Sequence, residues 1–271
     1  MDVSIDIQSV HKHFGRKVAV HDLSLSIPPG ELFAFLGPNG AGKTTTIKMI
    51  CGLLHPQRGT IDVCGHRMGI NGLAGKAKLA YVPDEPFLYD KLTGREFLLF
   101  VGEMYRVPAV EQKRIIGELS ERLVMEDFLD KLTESYSHGM KQKVVLSAAL
   151  MHDPEVLIID EPMVGLDPRT VRVVKDLFRE RVGRGRTVFM STHTLGVAEA
   201  VADRIGILNH GRLVCLGTMS ELRKQAAAQH SLEDIFLELT HPELQSGDGP
   251  GPETVPNGVT PGEGGSHVVE S

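Results

Sequence analysis

The sequence reads Gly37-Pro38-Asn39-Gly40-Ala41-Gly42-Lys43-Thr44-Thr45 at the point that decides its fold. This is the G-x-x-x-x-G-K-T spacing of a phosphate-binding P-loop. An apolar run at residues 32–36 precedes it, and Ile47 and Ile50 follow at helical spacing. We therefore expect a buried strand, a glycine loop and a helix, the context that the motif requires. The alternative is an ordinary glycine-rich turn between a strand and a helix.

The P-loop pattern indicates chemistry at a phosphate group. Glycines allow backbone N–H groups to surround an oxyanion, and the following helix points its positive N-terminal end at the same place. We expect Lys43 to reach the β- and γ-phosphates of a nucleotide and Thr44 to ligate Mg²⁺. The predicted nucleotide-binding loop comprises Gly37, Pro38, Asn39, Gly40, Ala41, Gly42, Lys43, Thr44 and Thr45.

The charge of the chain is unevenly distributed. It has 35 acidic and 29 basic side chains in 271 residues, a formal charge of −6. Residues 241–271 contain five of the acids and no Lys or Arg, which leaves 30 acidic against 29 basic side chains elsewhere. A nearly neutral body argues against broad binding to nucleic acid, which needs a concentrated basic face. The Gly- and Pro-rich composition of residues 241–271 predicts a flexible acidic tail.

The sequence also bears on the compartment of the protein. No uncharged apolar segment approaches the roughly 20 residues needed to span a bilayer, and the N-terminus lacks the features of a signal peptide. The three cysteines are widely separated and form neither a disulfide framework nor a zinc ligand set. We expect a protein of the reducing cytosol, so any membrane-spanning part must come from another chain.

Two kinds of strand are predicted around the P-loop. Apolar and polar residues alternate over residues 3–7 and 23–27, which predicts antiparallel strands. Residues 156–159 form a continuous apolar run, typical of a strand buried on both faces of a sheet, and residues 186–191 are predicted to form another buried strand. The sequence therefore predicts antiparallel strands beside a parallel core.

A helical block interrupts this pattern. From residue 93 to about residue 151 the strong signals are helical, and Ser137 is the expected N-cap of the last helix. One predicted helix face carries Phe97, Phe100, Val101 and Met104. Two short helices are expected near the end of the fold, at residues 219–227 and 231–239. The predicted fold class is α/β: a P-loop NTPase core with a mixed sheet, an antiparallel β edge subdomain and an inserted α-helical subdomain.

Polar residues at the ends of the buried strands are candidates for chemistry. Asp160 and Glu161 end one strand and His193 follows another, at the edge where open α/β sheets bind ligands. In one interpretation, the Asp160 carboxylate faces a metal ion and the Glu161 carboxylate faces a water molecule. In the alternative, the two acids cap a helix where the chain leaves the strand. For His193 a structural and a catalytic role are equally open. Phe14, considered alone, favours a packing role at a strand end.

The order of these motifs resembles one protein family. After the P-loop comes a helical block ending in Tyr136-Ser137-His138-Gly139-Met140-Lys141-Gln142-Lys143, followed by Asp160-Glu161, Gly165-Leu166-Asp167 and His193. This order and spacing, over about residues 3–240, resembles the ATP-binding subunit of an ATP-binding cassette (ABC) transporter. Kinases and GTPases share the P-loop but lack the signature stretch before the second carboxylate strand.

The resemblance implies a role for each matching residue. It implies that Phe14 stacks on adenine, that Asp160 holds Mg²⁺ through water, and that Glu161 is the general base for the attacking water. His193 is similar to the switch histidine that contacts the γ-phosphate, and Asp167 to an aspartate that communicates between two subunits. The implied cofactors are ATP and Mg²⁺.

The resemblance also implies that the site is shared between two subunits. Ser137 and Gly139 match the signature loop, which contacts the γ-phosphate of the partner subunit in a head-to-tail dimer. The sequence departs from the family pattern at Asp84, where glutamine is usual, and at His138, where glycine is usual. A carboxylate at residue 84 can still ligate Mg²⁺ or orient water, but it adds negative charge near phosphates.

The motifs and the resemblance together give the following expected assignments. The catalytic residues are Lys43, Asp84, Glu161 and His193; the metal ligands are Thr44, Asp84 and Asp160; and the nucleotide-binding residues are Phe14, the loop from Gly37 to Thr45, Ser137 and Gly139. The expected domains are an ATP-binding α/β core at 1–84 and 154–240, a helical signature subdomain at 85–153, and the tail at 241–271.

The expected function is ATP binding and hydrolysis that drives a conformational change in a separate transmembrane permease. The second ATP-binding subunit is a second copy or a paralogue, and the expected location is cytoplasmic, peripheral on the inner face of the cell membrane. The signature stretch at residues 136–143 and the last predicted helical stretch, at residues 232–239, look most like those of bacterial exporter ATPases. The alternative is a soluble ABC ATPase acting in translation or DNA maintenance, although such proteins usually carry two cassettes or a coiled-coil arm.

Overall fold

The computed structural model describes residues 3–69 and 72–227. The helix predicted at 231–239 and the tail predicted at 241–271 lie outside the described residues. Within the described part, the strands are β1 (Ile5–Phe14), β2 (Lys17–Ile27), β3 (Leu32–Leu36), β4 (Arg58–Val63), β5 (His66–Arg67), β6 (Leu79–Val82), β7 (Val156–Asp160), β8 (Thr187–Thr192), β9 (Arg204–Asn209) and β10 (Arg212–Gly217). The helices are α1 (Lys43–Ile50), α2 (Leu73–Lys76), α3 (Gly94–Met104), α4 (Ala109–Arg122), α5 (His138–Leu150), α6 (Pro168–Gly183), α7 (Leu195–Val201) and α8 (Met219–Ala227), with a 3₁₀ turn at Thr133–Ser135.

The larger sheet places the P-loop at its centre. Its strand order is β10-β9-β3-β8-β7-β6, and β9, β3, β8, β7 and β6 run parallel to one another. Leu36 pairs with Thr192 across β3 and β8, and Asp160 pairs with Ser191 across β7 and β8. The chain therefore leaves β3, β7 and β8 at nearly the same level, which brings the P-loop and the polar strand ends to one edge of the sheet.

A second sheet covers one face of the first. Its strands, in the order β2-β1-β4-β5, are antiparallel, as the alternating pattern predicted. Because successive strand residues point to opposite faces, Phe33 and Phe35 of β3 pack with Phe189 on the side of this sheet, with ring centroids 5.5 to 6.2 Å apart. Ala34 and Met190 point to the other side, into the apolar cluster shared with the helices.

The helical block lies between β6 and β7 in the chain. Of the four residues predicted to share one face of α3, Phe97 and Val101 pack against the core. The buried residues of α3 are Gly94, Leu98 and Gly102, whereas Phe100 is 40% and Met104 66% exposed. Gly102 packs closely against α4, because an ideal Cβ on Gly102 would lie 2.6 Å from Cδ of Gln112. A glycine at this residue therefore allows α3 and α4 to approach each other.

The start of α3 is fixed by a capping box. The Thr93 hydroxyl accepts a hydrogen bond from the backbone N–H of Glu96, and the Glu96 carboxylate accepts one from the backbone N–H of Thr93. Each of these bonds satisfies a backbone donor at the helix end that would otherwise lack a partner. Among the described residues, no helix is both long and apolar enough to cross a membrane.

Candidate functional site

The P-loop joins β3 to α1 as the sequence predicted. Gly42, immediately before α1, has a φ of 107°, which is in the left-handed region that favours glycine. A Cβ on Gly42 would also stand less than 3.0 Å from the carbonyl oxygen of Ala19. The backbone at this position is therefore compatible only with glycine, and the amino end of α1 faces the edge of the sheet, where an anion is favoured.

Lys43, the first residue of α1, is folded over this loop. Its ammonium donates hydrogen bonds to the carbonyl oxygens of Gly37, at 2.7 Å, and Pro38, at 3.2 Å. It also lies 3.8 Å from a carboxylate oxygen of Glu161. Burial lowers the pKa of Lys43, and the charges of Glu161 and Asp160 counteract this shift. A nucleotide phosphate would supply a further negative partner for this buried ammonium.

Asp160 is the most buried acid of the site. The carboxylate is only 1% exposed and accepts hydrogen bonds from two hydroxyls: Thr44 Oγ1 donates to Oδ2 at 2.7 Å, and Ser191 Oγ donates to Oδ1. Because both oxygens are engaged, the carboxylate has a fixed orientation. The structure thus places the Thr44 hydroxyl and the Asp160 carboxylate side by side.

Glu161 has an unusual backbone. Its φ is 52°, a left-handed conformation that costs a non-glycine residue about 1–2 kcal/mol. The backbone N–H of Glu161 donates to Ser191 Oγ at 3.2 Å, and its carboxylate lies 2.9 Å from Nδ1 of His193. A strained residue that is held by hydrogen bonds at the end of a strand is typical of functional sites. The structure brings Lys43, Glu161 and His193 together.

A cleft of about 350 Å³ opens at this edge of the sheet. Its lining includes Phe14, from the end of β1, and Asp84, from the loop after β6. The predicted residues Pro38, Asn39, Gly40, Gly42, Lys43, Thr44, Thr45, Asp160 and Glu161 also line it. Phe14 is 50% exposed, so it is not a core residue as its sequence alone suggested. An exposed ring at the mouth of a polar cleft presents a face on which a planar base can stack.

The residues of the cleft fit Mg²⁺ bound together with a nucleotide. Mg²⁺ prefers oxygen ligands and is usually held by one or two carboxylates, waters and substrate phosphates. Thr44 and Asp160 supply two such oxygens, and Asp84 lines the same cleft. Within residues 3–69 and 72–227, no group of three His, Cys, Asp or Glu side chains could hold a metal ion. Waters and the phosphate oxygens of a nucleotide would supply the other ligands of a metal bound here.

Two predicted nucleotide-binding residues lie elsewhere on the surface. Ser137 is the N-cap of α5, and its side chain accepts a hydrogen bond from the backbone N–H of Met140 at 3.3 Å. Gly139 lies in the first turn of the same helix. Neither is among the residues that line the cleft, and Ser137 is exposed. We call residues 136–143 the signature segment and residues 163–167 the D-loop. Gly165 of the D-loop lies against His138 and Gly139 of the signature segment.

Sequence reasoning missed two residues of the site. Ser191 contacts both Asp160 and Glu161, whereas the sequence predicts only that it belongs to a buried strand. The available signal was a hydroxyl residue at the carboxyl end of an otherwise apolar strand. Lys17, at the start of β2, also lines the cleft beside Phe14. No sequence pattern distinguished this lysine from other surface lysines.

The sequence and the fold match proteins of known class. A family model described as ABC transporter matches residues 20–164. The linearmycin resistance ATP-binding protein LnrL of Bacillus subtilis is 38% identical over 236 residues, covering 87% of this chain and 74% of that protein. The Nod factor export ATP-binding protein I of Burkholderia lata is 37% identical over 213 residues, 79% of this chain and 70% of that protein. A solved ATP-binding subunit of an ABC transporter superposes with a TM-score of 0.81 and 33% identity, over 87% of this chain and 98% of that one.

Proposed function

This chain belongs to the ABC transporter family as one of its ATP-binding and ATP-hydrolysing subunits, and from that premise we propose how its residues divide the work. The observation that carries the proposal is the network that links Lys43, Thr44, Asp160, Glu161 and His193 at one edge of the sheet. Phosphoryl transfer needs mainly positioning and charge stabilisation, and this network provides charged groups in fixed positions.

Each residue of the network has a defined task in ATP hydrolysis. Lys43 and the backbone of the P-loop bind the β- and γ-phosphates. Thr44 and Asp160 would hold Mg²⁺, which would neutralise charge on the phosphate oxygens. Glu161 accepts a proton from the attacking water, and His193 orients the Glu161 carboxylate and contacts the γ-phosphate. Asp84, which lines the same cleft, would supply a further oxygen to the metal or to a water bound to it.

The nucleotide site is completed by a second subunit. In one chain the signature segment lies outside the ATP cleft, and Ser137 is exposed at the N-terminal end of α5. In a head-to-tail dimer, Ser137 and Gly139 of one subunit contact the γ-phosphate bound by the other. ATP stabilises this closed dimer, and hydrolysis removes the stabilisation. The second subunit is another copy of this chain or a paralogue.

An exposed aromatic cluster supports docking to a membrane partner. Phe87 is 72%, Tyr89 50% and Phe100 40% exposed, and the ring of Tyr89 lies 5.8 Å from Phe87 and 5.9 Å from Phe100. Contiguous exposed apolar residues of this kind mark interaction sites. They lie on the helical block and on the loop that follows Asp84. We assign this surface to a transmembrane permease encoded by another chain.

The names of two relatives support a proposal for the direction of transport. One relative is named for linearmycin resistance and another for Nod factor export, which supports an exporter. A subunit docked on a permease would be cytoplasmic and peripheral on the inner face of the membrane. Co-purification with a multi-spanning membrane protein is the expected result. Recovery without any membrane partner from gently solubilised membranes would instead favour the soluble alternative.

The division of roles is tested by Glu161→Gln. Glutamine keeps the shape of the side chain but cannot accept the proton, so the variant is expected to bind ATP and to accumulate as a dimer without turnover. ATP-dependent dimers are measured by analytical ultracentrifugation and phosphate release by a steady-state assay. Glu155→Gln, on an exposed carboxylate before β7, is the matched control. Turnover at the wild-type rate in Glu161→Gln would contradict the assignment of the base.

A further inference from the structure

The signature segment contacts the D-loop at Gly165, and the roles proposed above for ATP hydrolysis do not account for this contact. The imidazole ring of His138 occupies the space beside Gly165: an ideal Cβ on Gly165 would lie less than 3.0 Å from His138 Cδ2 and 3.3 Å from Nε2. At the next residue, an ideal Cβ on Gly139 would lie 2.5 Å from the carbonyl oxygen of Gly165. Two successive residues of the signature segment therefore meet Gly165 with no room for another carbon atom.

Gly165 is also constrained by its own backbone. Its φ is 75°, and the chain around it forms two turns, in which Val164 N donates to Glu161 O at 3.3 Å and Leu166 N donates to Met163 O at 3.4 Å. The first of these turns begins at the proposed base. A displacement of Gly165 would therefore be transmitted over a few residues to Glu161.

A second contact joins the same two segments. Nζ of Lys143 lies 3.8 Å from Oδ2 of Asp167, and the lysine side chain is only 13% exposed. Asp167 is itself fixed, because its carboxylate caps α6 by accepting a hydrogen bond from Thr170 N at 2.9 Å. The D-loop is thus held against α5 at its middle, Gly165, and at its last residue, Asp167. Of the residues that make these contacts, His138 is the one at which this sequence departs from the family pattern, which usually has glycine at that position.

We propose that His138 is a positioning residue that holds the D-loop against the signature segment, and that Gly165 is the complementary residue that makes room for its ring. This rests on the proposed dimer. In the structure the His138 ring lies against Gly165, which leaves the signature segment accessible to the partner subunit's γ-phosphate. A side chain at residue 165 would displace the ring. Because His138 and Ser137 are both exposed, the displaced ring would lie outward over Ser137 and Gly139 and would obstruct the γ-phosphate there.

The test is a double-mutant cycle in the Glu161→Gln chain. It compares the parent, Gly165→Ala, His138→Gly and the double variant by ATP-dependent dimerisation in analytical ultracentrifugation and by urea unfolding of the nucleotide-free chain. Gly185→Ala is the control, because Gly185 has a φ of 79° but nothing within 4 Å of its ideal Cβ. His138→Ala replaces His138→Gly in a repeat, to separate loss of the ring from added backbone flexibility.

Gly165→Ala is expected to weaken dimerisation about 30-fold or more when His138 is present but about threefold or less with His138→Gly, a coupling within the range for contacting residues. In urea unfolding, Gly165→Ala should resemble Gly185→Ala, because both substitutions place a Cβ on left-handed backbone. If Gly165→Ala weakened dimerisation equally with His138 and with His138→Gly, this inference alone would be overturned. The same holds if residues 138 and 165 were coupled equally strongly in urea unfolding. Absence of ATP-dependent dimers in the parent would overturn the proposed function, and this inference with it.

Discussion

Ser191→Ala removes the hydroxyl that connects the two acids of the site. Ser191 is fully buried, its Oγ donates to Asp160, and it accepts from the backbone N–H of Glu161 at 3.2 Å. A hydrogen bond to a charged group contributes about 1.5–3 kcal/mol to stability, and the unpaired N–H adds a cost of its own. We therefore expect the free energy of unfolding to fall by about 2–4 kcal/mol.

The same substitution is expected to affect catalysis through the metal. Groups that orient a metal ligand typically contribute 10- to 100-fold to metal affinity or activity. Ser191 orients Asp160, so we expect the Mg²⁺ concentration needed for half-maximal ATPase activity to rise by about 10-fold or more. The assay is steady-state phosphate release over a Mg²⁺ titration at fixed ATP, with urea unfolding measured in parallel.

Thr187→Val is the matched control for this prediction. Thr187 lies on the same strand and is equally buried, but it is at the other end of β8 and donates its hydrogen bond to Ser4 Oγ, at 2.8 Å, and not to Asp160. Its loss should cost about 1 kcal/mol of stability and leave the Mg²⁺ dependence unchanged. If Ser191→Ala shows an unaltered Mg²⁺ dependence as well, the reasoning about the orientation of Asp160 is refuted.

Two further substitutions examine the mouth of the cleft. Asp84→Ala is expected to weaken Mg²⁺-dependent hydrolysis more than Mg²⁺-free nucleotide binding, because the carboxylate acts through the metal; equal losses in calorimetric binding and in turnover would contradict that role. Phe14→Ala is expected to raise the Kd for ATP at least about fivefold, since stacking of a base on an aromatic ring contributes about 1–3 kcal/mol. Val18→Ala, at a similarly exposed residue of the neighbouring strand, is the control, and equal effects of the two substitutions would argue against stacking.

The apolar patterns of the sequence predicted the strands well because burial imposes them directly. Residues 32–36 were expected to form a central strand and do so as β3, with every residue buried. The sequence Asn209-His210-Gly211 is typical of a hairpin turn, and it joins β9 to β10, with positive φ at both His210 and Gly211. The sequence patterns do not indicate α7, because its seven residues make only two helical turns, too short a window to show a helical period.

The residues around the P-loop could be predicted where they belong to a recognisable sequence motif. Lys43, Thr44, Asp160, Glu161 and His193 were all named from the sequence, and the structure brings them into one network. Their catalytic roles stay predictions until the variants are measured. The sequence could not show that Ser191 bridges the two acids, because that contact depends on the pairing of β7 with β8.

By itself, therefore, the sequence determined the family, the α/β class and the phosphate-binding loop, because glycine spacing and apolar periods act over a few neighbouring residues. The tertiary structure decided which residues at the strand ends touch, since the register of parallel strands sets their level at the edge of the sheet. It also decided that Ser137 and Gly139 lie away from the cleft of their own chain and that His138 meets Gly165. These contacts join residues far apart in the chain, and only the packing of α5 beside the D-loop brings them together.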